Sequence, residues 1–521
     1  MSVSVSSPRP LPSSSPQSPP SRAMRNGAIA WGQIGGGLVA RFLSTRFALA
    51  ALGIEAMGAY LAALALALIA SIVTGALQST TLRALSLAPL AQRPRLFNAL
   101  IGLHFRVALG VAGIGALLGP PALSGLFELP PALADQAQVA FFCVLAASVV
   151  AIALAPYEIA LQAHERFGLF ATLDLARAVA LIPVAYLLIG QPTPPLAAFA
   201  ALSAGLSLSV TLAGAWQARK SLPETRLHLR WILNIRPARG QTALLSWSVL
   251  GGLAASARAQ GMVLLMAALG GPVASAAYGL GNQLPAALRQ FAEATRQVLA
   301  PRIYADHAAQ GSDGSITGAL VASRIAALIA FGAAIPMAVN APALLALWLG
   351  RSNPEMVMVV RLMLAAVALD QLSAGLGLAF LARGRIAWMQ GWGAALAVMS
   401  LPAAFLAGRA SGDIGAALWV ALAVTTTIAA LRIVLLTRLS PGTATRWAHE
   451  TLIPVLASAL PVALGAALVQ GLLPEGAARL ALSLGLCAAL WLGASWRLGL
   501  SAPERARLSA LLRRRPTEGV T

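Results

Sequence analysis

The sequence predicts an all-α, polytopic membrane protein, and three observations lead to this class. Hydrophobic residues make up 58% of the 521 residues and charged residues only 10%, whereas about a quarter of a soluble globular chain is charged. The mean hydropathy is +0.77. Apolar stretches of about 20 residues, the length that crosses about 30 Å of hydrocarbon, recur along the chain.

Counting these stretches predicts about 14 transmembrane spans, numbered here in chain order. Their approximate limits are 27–47, 57–79, 99–118, 137–157, 168–190, 196–216, 244–268, 273–298, 317–338, 356–380, 388–408, 414–437, 451–471 and 479–499. Span 8 is half polar, and we expect it to face protein or water instead of lipid.

Charge sets the predicted orientation. The formal net charge is +20, which in a soluble chain would suggest nucleic acid, but here the arginines flank apolar spans, where they orient the protein and meet anionic lipid headgroups. We therefore expect membrane lipids as partners and no nucleic acid. Arginine is concentrated in alternate loops, which predicts 14 spans with both termini in the cytoplasm.

The spans divide into six, six and two. We predict two pseudo-symmetric six-helix lobes, related as parallel repeats, and an appended helix pair. The predicted segments are a disordered Ser/Pro-rich tail at 1–24, an N-lobe at 25–216, a basic cytoplasmic linker at 217–243, a C-lobe at 244–437, the appended pair at 438–500 and a basic tail at 501–521.

A weak sequence repeat supports the two lobes. The stretches Trp31 to Tyr60 and Trp247 to Tyr278 each contain, in the same order, a Trp, paired glycines, an arginine, a Leu-Gly pair and a Tyr. The arginines are Arg41 in the first copy and Arg258 in the second. The Leu-Gly pairs end at Gly53 and Gly270, and we expect a turn at each.

Arginine inside the membrane points to function. A central arginine costs about 2.5 to 3.5 kcal/mol on insertion scales. Ten arginines lie within predicted spans: Arg41, Arg46, Arg106, Arg177, Arg258, Arg289, Arg296, Arg324, Arg361 and Arg432. Arg46, Arg296, Arg361 and Arg432 lie near span ends and are expected to reach the interface. Asp174 lies three residues from Arg177, and Glu293 lies within four residues of both Arg289 and Arg296.

Four arginines remain without a nearby carboxylate: Arg41, Arg106, Arg258 and Arg324. Each either pairs with a carboxylate on another helix, or with backbone carbonyls, or belongs to a shared interior with surplus positive charge. Because carboxylates are few in the spans, we favour the surplus and predict a phosphate or pyrophosphate ligand, whose oxygens suit the guanidinium fork.

The spans contain three carboxylates that could couple transport to H⁺ or Na⁺: Asp370, Asp174 and Glu293. The two cysteines and five histidines show no spacing typical of a metal site or of covalent catalysis. The predicted outward loops are short, although an O-antigen ligase or polymerase would need a substantial one. We therefore predict a protein that is not an enzyme and has no cofactor.

Several of these features resemble one known family. They are the opening RNGAIAWGQIGGGLVARFLSTRFALAALGIEAMGAY, the R-A-L-S at Arg83 to Ser86, Ala277-Tyr278-Gly279, Pro301-Arg302 and the six-plus-six-plus-two layout. Together they resemble bacterial polysaccharide transporters of the O-antigen flippase type. That family belongs to the multidrug/oligosaccharidyl-lipid/polysaccharide (MOP) exporter superfamily, with the murein lipid II flippase and the multidrug and toxin extrusion (MATE) proteins.

The resemblance implies a V-shaped pair of lobes that flips undecaprenyl-pyrophosphate-linked oligosaccharide across the bacterial inner membrane. Arg41 matches the family's basic residue in the first span. We expect Arg41 and Arg258 to hold the pyrophosphate across a cleft, and polysaccharide polymerases to be partners. Two alternatives stay open, namely a murein lipid II flippase and a cation-coupled multidrug antiporter.

Overall fold

The computed structural model describes residues 20–509 except 71–76, 79–80, 83, 86–87, 127–130, 165–166, 192–194, 229–230, 232–241, 385, 503 and 507–508. Every long regular element within these residues is a helix. The predicted all-α polytopic class is therefore confirmed.

Fifteen α-helices have both ends within the described residues and are numbered in chain order. They are α1 Pro20–Ala70, α2 Arg93–Leu126, α3 Pro131–Ala163, α4 Phe167–Leu187, α5 Leu196–Ser221, α6 Thr242–Gly281, α7 Gln283–Val339, α8 Ala341–Leu349, α9 Pro354–Ala374, α10 Leu376–Ala382, α11 Ala387–Ser411, α12 Ile414–Leu439, α13 Thr443–Trp447, α14 Ile453–Leu472 and α15 Ala477–Ala494. Helix α1 begins at Pro20, inside the tail predicted at 1–24.

The helices accommodate the predicted spans. Ten described segments are long and apolar enough to cross a membrane; Gly35–Leu68 overlaps two predicted spans and Leu250–Val339 overlaps three. A shorter apolar segment, Leu175–Leu187, falls in predicted span 5. The chain is thus a multi-pass membrane protein, in which several predicted spans run on into one another as kinked helices.

Glycines form the turns between the first two spans of each lobe. Gly53 in α1 has φ 74° and ψ 174°, and Gly271 in α6 has φ 68° and ψ −163°. These conformations are accessible almost only to glycine. The glycine with a positive φ therefore has matching backbone geometry in the two turns. In the second copy it is Gly271, and the expected Gly270 also leaves the helical conformation, with φ −135° and ψ 19°.

The helices pack in two groups that follow the chain order. In the first group α1 packs on α3 and α4, and α3 packs on α2 and α5. In the second, α6 packs on α11, while α9 packs on α7 and α12. The appended helices α14 and α15 pack on each other and on α7. Trp491 of α15 donates from Nε1 to the carbonyl of Leu328 at 2.9 Å, which fixes the pair to the second group.

The two groups meet along α1 and α6. Gly58 lies against the backbone of Pro272, so closely that a Cβ at position 58 would overlap the Pro272 carbonyl. Ser275 donates to the Gly58 carbonyl at 3.3 Å. Trp348 of α8 also donates from Nε1 to the carbonyl of Phe42 in α1 at 2.7 Å. The contacts of Gly58, Pro272 and Ser275 lie within five residues of the Gly53 and Gly271 turns, and together with the Trp348–Phe42 contact we call them the lobe junction.

Candidate functional site

A highly charged cavity lies within the second helix group. Its volume is about 650 Å³, and residues of α6, α7, α9, α10, α11 and α12 line it. Its charged residues are Arg258, Arg289, Glu293, Arg296, Asp370 and Arg432. Four guanidinium groups against two carboxylates leave a formal charge of +2. We call it the arginine cavity.

Helix geometry explains how α7 contributes to this wall. Arg289, Glu293 and Arg296 are separated by four and then three residues, a spacing that puts them on one face of a helix. Glu293 forms its ion pair with Arg296. Arg296 also donates from Nη1 to the carbonyl of Ala374 at 3.2 Å. The polar face of predicted span 8 therefore turns towards protein and the cavity, as expected.

Arg258 is held by the facing helix α12. Its Nη2 donates to the carbonyl of Ala421 at 2.8 Å and to Oγ1 of Thr425 at 2.7 Å. Thr425 itself donates to the same Ala421 carbonyl at 2.8 Å. Nε and Nη1 of Arg258 have no hydrogen-bond partner among the described residues. The guanidinium is thus fixed at one corner and retains donors for a ligand.

Arg289 is the cavity residue that sequence reasoning missed. We predicted local neutralisation by Glu293, but Glu293 pairs with Arg296 instead. The exposed Arg289 side chain forms no hydrogen bond or ion pair with any residue that the structure describes. A spacing of four residues allows Arg289 to pair with Glu293 but does not ensure it, because Arg296 competes for the same carboxylate. The signal was the excess of arginine over glutamate on this face.

Asp370 has a cationic partner already. Its Oδ1 lies 2.7 Å from Nη1 of Arg432, and Ser373 Oγ lies 3.4 Å from the same nitrogen. The expectation that Arg432 reaches the membrane interface is therefore wrong. Inside a low-dielectric interior, pairing with a carboxylate removes more of the cost of the charge than partial snorkelling does. Arg296, expected at the interface too, likewise turns inward.

Two of the three predicted ion-coupling carboxylates lie in the arginine cavity. Asp370 and Glu293 both line the arginine cavity, each bound to a guanidinium. A transported cation would have to displace that group. The side chain of Asp174 lies outside the described residues, so its role stays a prediction.

Arg324 lies away from the arginine cavity. Arg324 is only 7% exposed. Its Nη1 donates to the carbonyl of Glu450 at 2.9 Å, and its Nη2 forms an ion pair with Glu504. The prediction that Arg324 shares an interior with the other three arginines is therefore wrong. Its partner lies 180 residues away in sequence, in a tail that we predicted only as basic.

Local hydrogen bonds from Ser501 orient the Glu504 carboxylate for this ion pair. The backbone N–H of Ser501 donates to Oε2 of Glu504 at 2.8 Å, and the Ser501 hydroxyl donates to it at 2.7 Å. Burial raises the pKa of Glu504, but these hydrogen bonds and the Arg324 guanidinium outweigh it and hold the pKa below its ordinary value. The carboxylate is therefore ionised at neutral pH.

Arg41 and Arg106 are exposed, on α1 and α2. Neither lines the arginine cavity, so the structure does not bring Arg41 and Arg258 together there. Of the four predicted arginines, only Arg258 lies in this cavity.

The first helix group has a less charged cavity. It measures about 450 Å³ and is lined by Tyr60, Glu158, Arg177, Ser203 and Thr211 among apolar residues. One carboxylate and one guanidinium give it no formal charge. Sequence reasoning did not count Glu158, which lies one residue beyond predicted span 4. No cluster of metal-ligating side chains occurs within the described part of the chain.

We compared the sequence and the fold with those of known proteins. No protein-family model matches the sequence, and no curated protein matches it. Among solved structures, the lipid II flippase MurJ in an inward closed conformation superposes with a TM-score of 0.64, covering 94% of this chain and 100% of its own at 11% identity. This protein has the fold of that flippase.

Two MATE structures support the same conclusion. An inward-facing multidrug resistance MATE transporter of the MOP superfamily has a TM-score of 0.56 at 17% identity, covering 77% of this chain and 96% of its own. A eukaryotic MATE transporter has a TM-score of 0.51 at 16% identity, covering 81% of this chain and 98% of its own. The fold of this protein is thus shared with a flippase and with two transporters, one of which is described as a member of the MOP superfamily.

Proposed function

We propose that this protein flips polyprenyl-pyrophosphate-linked oligosaccharide across the bacterial inner membrane for the synthesis of O-antigen, capsule or exopolysaccharide. The observation that carries the proposal is the arginine cavity, which holds an uncompensated positive charge inside a fold shared with a lipid II flippase. An interior with surplus guanidinium groups favours an anionic ligand.

Two arginines are the best candidates to bind the pyrophosphate. Arg258 retains Nε and Nη1, and Arg289 retains its whole guanidinium, because no described residue occupies these donors. Two forks in one cavity suit a diphosphate, which has several acceptor oxygens on adjacent phosphorus atoms. Arg296 and Arg432 contribute positive potential while bound to their carboxylates.

The alternatives differ in how well they suit this cavity. A multidrug antiporter for cationic compounds would need free carboxylates, and those of Asp370 and Glu293 are bound to arginines. A lipid II flippase would carry the same polyprenyl-pyrophosphate group. The flippase match also extends over 94% of this chain, against 77% for the multidrug transporter.

The proposed mechanism is alternating access. The lobe junction holds the two helix groups together; with both termini in the cytoplasm, as we propose, the Gly53 and Gly271 turns are on the periplasmic side. The junction would part to release the oligosaccharide, which polysaccharide polymerases would then use. Coupling to H⁺ or Na⁺ would require Asp370, Glu293 or Asp174, and at the first two the ion would compete with an arginine.

A transport assay with matched variants tests the substrate. Purified protein in proteoliposomes is given a fluorescent polyprenyl-pyrophosphoryl sugar, and its transbilayer movement is followed by quenching. Replacing either Arg258 or Arg289 by Ala should slow flipping by about tenfold or more, as expected for loss of a charged hydrogen bond of about 1.5 to 3 kcal/mol. Arg351→Ala, at an exposed position outside the cavity, is the control.

Normal flipping by both cavity variants would contradict the proposed binding site. Complementation distinguishes the two lipid-linked substrates: rescue of a strain depleted of its murein flippase would identify lipid II as the substrate and overturn the oligosaccharide assignment.

A further inference from the structure

A surface groove lies apart from both cavities. It has a volume of about 580 Å³ and lies between the start of α8, the first turns of α9 and α12. Its main walls are Pro342, Val357, Met358, Arg361, Leu362 and Trp419. None of these residues lines the arginine cavity, so the groove requires an explanation of its own.

Arg361 is the charged residue of the groove. It lies seven residues after Pro354, which is about 10 Å along the helix from the start of α9, and its side chain is exposed. Nε donates to the carbonyl of Ala338 at 3.0 Å, one of the last carbonyls of α7, which lack helical partners. Neither Nη group has a partner among the described residues. Four N–H donors thus remain available beside an apolar surface.

The other walls have the chemistry of a lipid site. Trp419 is 59% exposed, and no described residue accepts a hydrogen bond from its indole. Tryptophan is enriched where membrane spans meet the headgroup region. Val357, Met358 and Leu362 form an apolar floor next to the guanidinium. The groove therefore combines an anion-binding fork with a surface that suits a hydrocarbon chain.

We propose that this groove binds one membrane phospholipid, with its phosphodiester on the two Nη groups of Arg361 and an acyl chain along Val357, Leu362 and Trp419. Charge complementarity selects this occupant, because a phosphodiester accepts two parallel hydrogen bonds from one guanidinium. A free phosphate would leave the apolar floor uncovered. A hydrocarbon alone would leave four donors unpaired in a low-dielectric environment.

The position of the groove suggests what the lipid would do. Pro342 lies at the start of α8, and the end of α8 contributes to the lobe junction: Leu347 accepts a hydrogen bond from Arg46 at 2.6 Å, and the ring centroids of Trp348 and Phe42 are 4.8 Å apart. A phospholipid in the groove would pack against the helix that joins the two helix groups.

Native mass spectrometry of the delipidated full-length protein tests this site, with phosphatidylglycerol as the titrant. We expect one tight phosphatidylglycerol in the wild type and about tenfold weaker binding of it in Arg361→Gln, since the lost contacts are hydrogen bonds to a charged group. Arg361→Lys keeps the positive charge but lacks the two parallel donors of a guanidinium, so its affinity for phosphatidylglycerol should lie between those of the wild type and Arg361→Gln. Arg351→Gln, also exposed but not in the groove, should bind as the wild type does.

Equal binding by the wild type and Arg361→Gln would overturn the proposal. So would a polyprenyl phosphate that displaced phosphatidylglycerol from the wild type at lower concentration, because the groove would then belong to the substrate. Since Arg361 is exposed and its variants keep the helix, an unchanged unfolding temperature should accompany each result; a fall shared by all three variants would overturn the interpretation as binding. The test is independent of the flipping assay, which depends on other residues.

Discussion

Substitution of Glu504 by Gln removes the only carboxylate that the described structure provides for Arg324. The Arg324 side chain is 9% exposed and that of Glu504 is 18% exposed. Arg324 would keep its bond to the carbonyl of Glu450. Its Nε, however, is buried without a partner already, so the charge would lose its main compensation.

The expected cost follows from that burial. Removing one partner of a buried ion pair costs about 3 to 5 kcal/mol, because the other charge is left uncompensated; exposed pairs contribute about 0 to 1 kcal/mol. Glu504 is partly exposed, and a glutamine oxygen can still accept one hydrogen bond. We therefore expect about 3 kcal/mol, at the lower end of the buried range.

Unfolding in mixed micelles, followed by circular dichroism, measures this cost. Arg505→Gln changes the neighbouring charge of the tail and is the matched control, expected within about 0.5 kcal/mol of the wild type. The double variant Arg324→Leu/Glu504→Gln should recover part of the loss, since no buried charge remains. If Glu504→Gln unfolds like Arg505→Gln, the tail is not held by this ion pair and the reasoning fails.

Three further predictions follow from single contacts. The pKa of Glu504 is lowered on folding, so its contribution to the free energy of unfolding is fully present above about pH 4.3, the ordinary glutamate value. This stabilisation is lost as the pH falls through the lowered pKa. Protection of residues 500–506 from proteolysis should therefore be constant between pH 5 and 8. Gly58→Ala should destabilise the lobe junction by about 1 to 3 kcal/mol through overpacking, whereas Gly113→Ala, where a Cβ meets nothing within 4 Å, should not; equal unfolding midpoints for the two would contradict the close approach to Pro272. Asp370→Asn should lower the free energy of unfolding by about 3 kcal/mol, because it removes the carboxylate that pairs with Arg432. Adding Arg432→Gln should restore part of this loss. A double variant no more stable than Asp370→Asn would show that the two residues are not coupled.

The fold was predictable because it depends on features that are local in sequence. Apolar stretches of membrane length predicted the spans, and the Leu-Gly pair at Gly53 predicted a turn where only glycine is tolerated. The second turn includes the expected Gly270, but the positive φ is at Gly271. Either glycine of a Gly-Gly pair can adopt a positive φ, and the choice depends on packing that the sequence does not display.

The candidate site was less predictable, because charge pairing in a membrane is decided across helices. Asp370 and Arg432 are 62 residues apart, and Arg324 and Glu504 are 180 apart. A search for carboxylates within four residues finds neither pair. The same search assigned Glu293 to both Arg289 and Arg296, although one carboxylate neutralises one charge. Residue counts thus predicted that arginine would be in excess, but not which arginines would remain unpaired.

The stretch from Trp31 to Tyr60 illustrates the difference between a repeated backbone and a repeated site. Its turn geometry recurs in the second copy, at Gly271, because both lobes must reverse direction between two apolar spans. Its arginine does not recur at the same place: Arg258 is tied to α12 inside the arginine cavity, whereas Arg41 is exposed on α1 and does not line that cavity. The charged cavity therefore belongs to one lobe, and the other lobe's cavity has no formal charge. If the substrate is anionic, its binding energy is concentrated on one lobe, and movement of the other lobe at the junction can open the path without breaking the contacts that hold the anion.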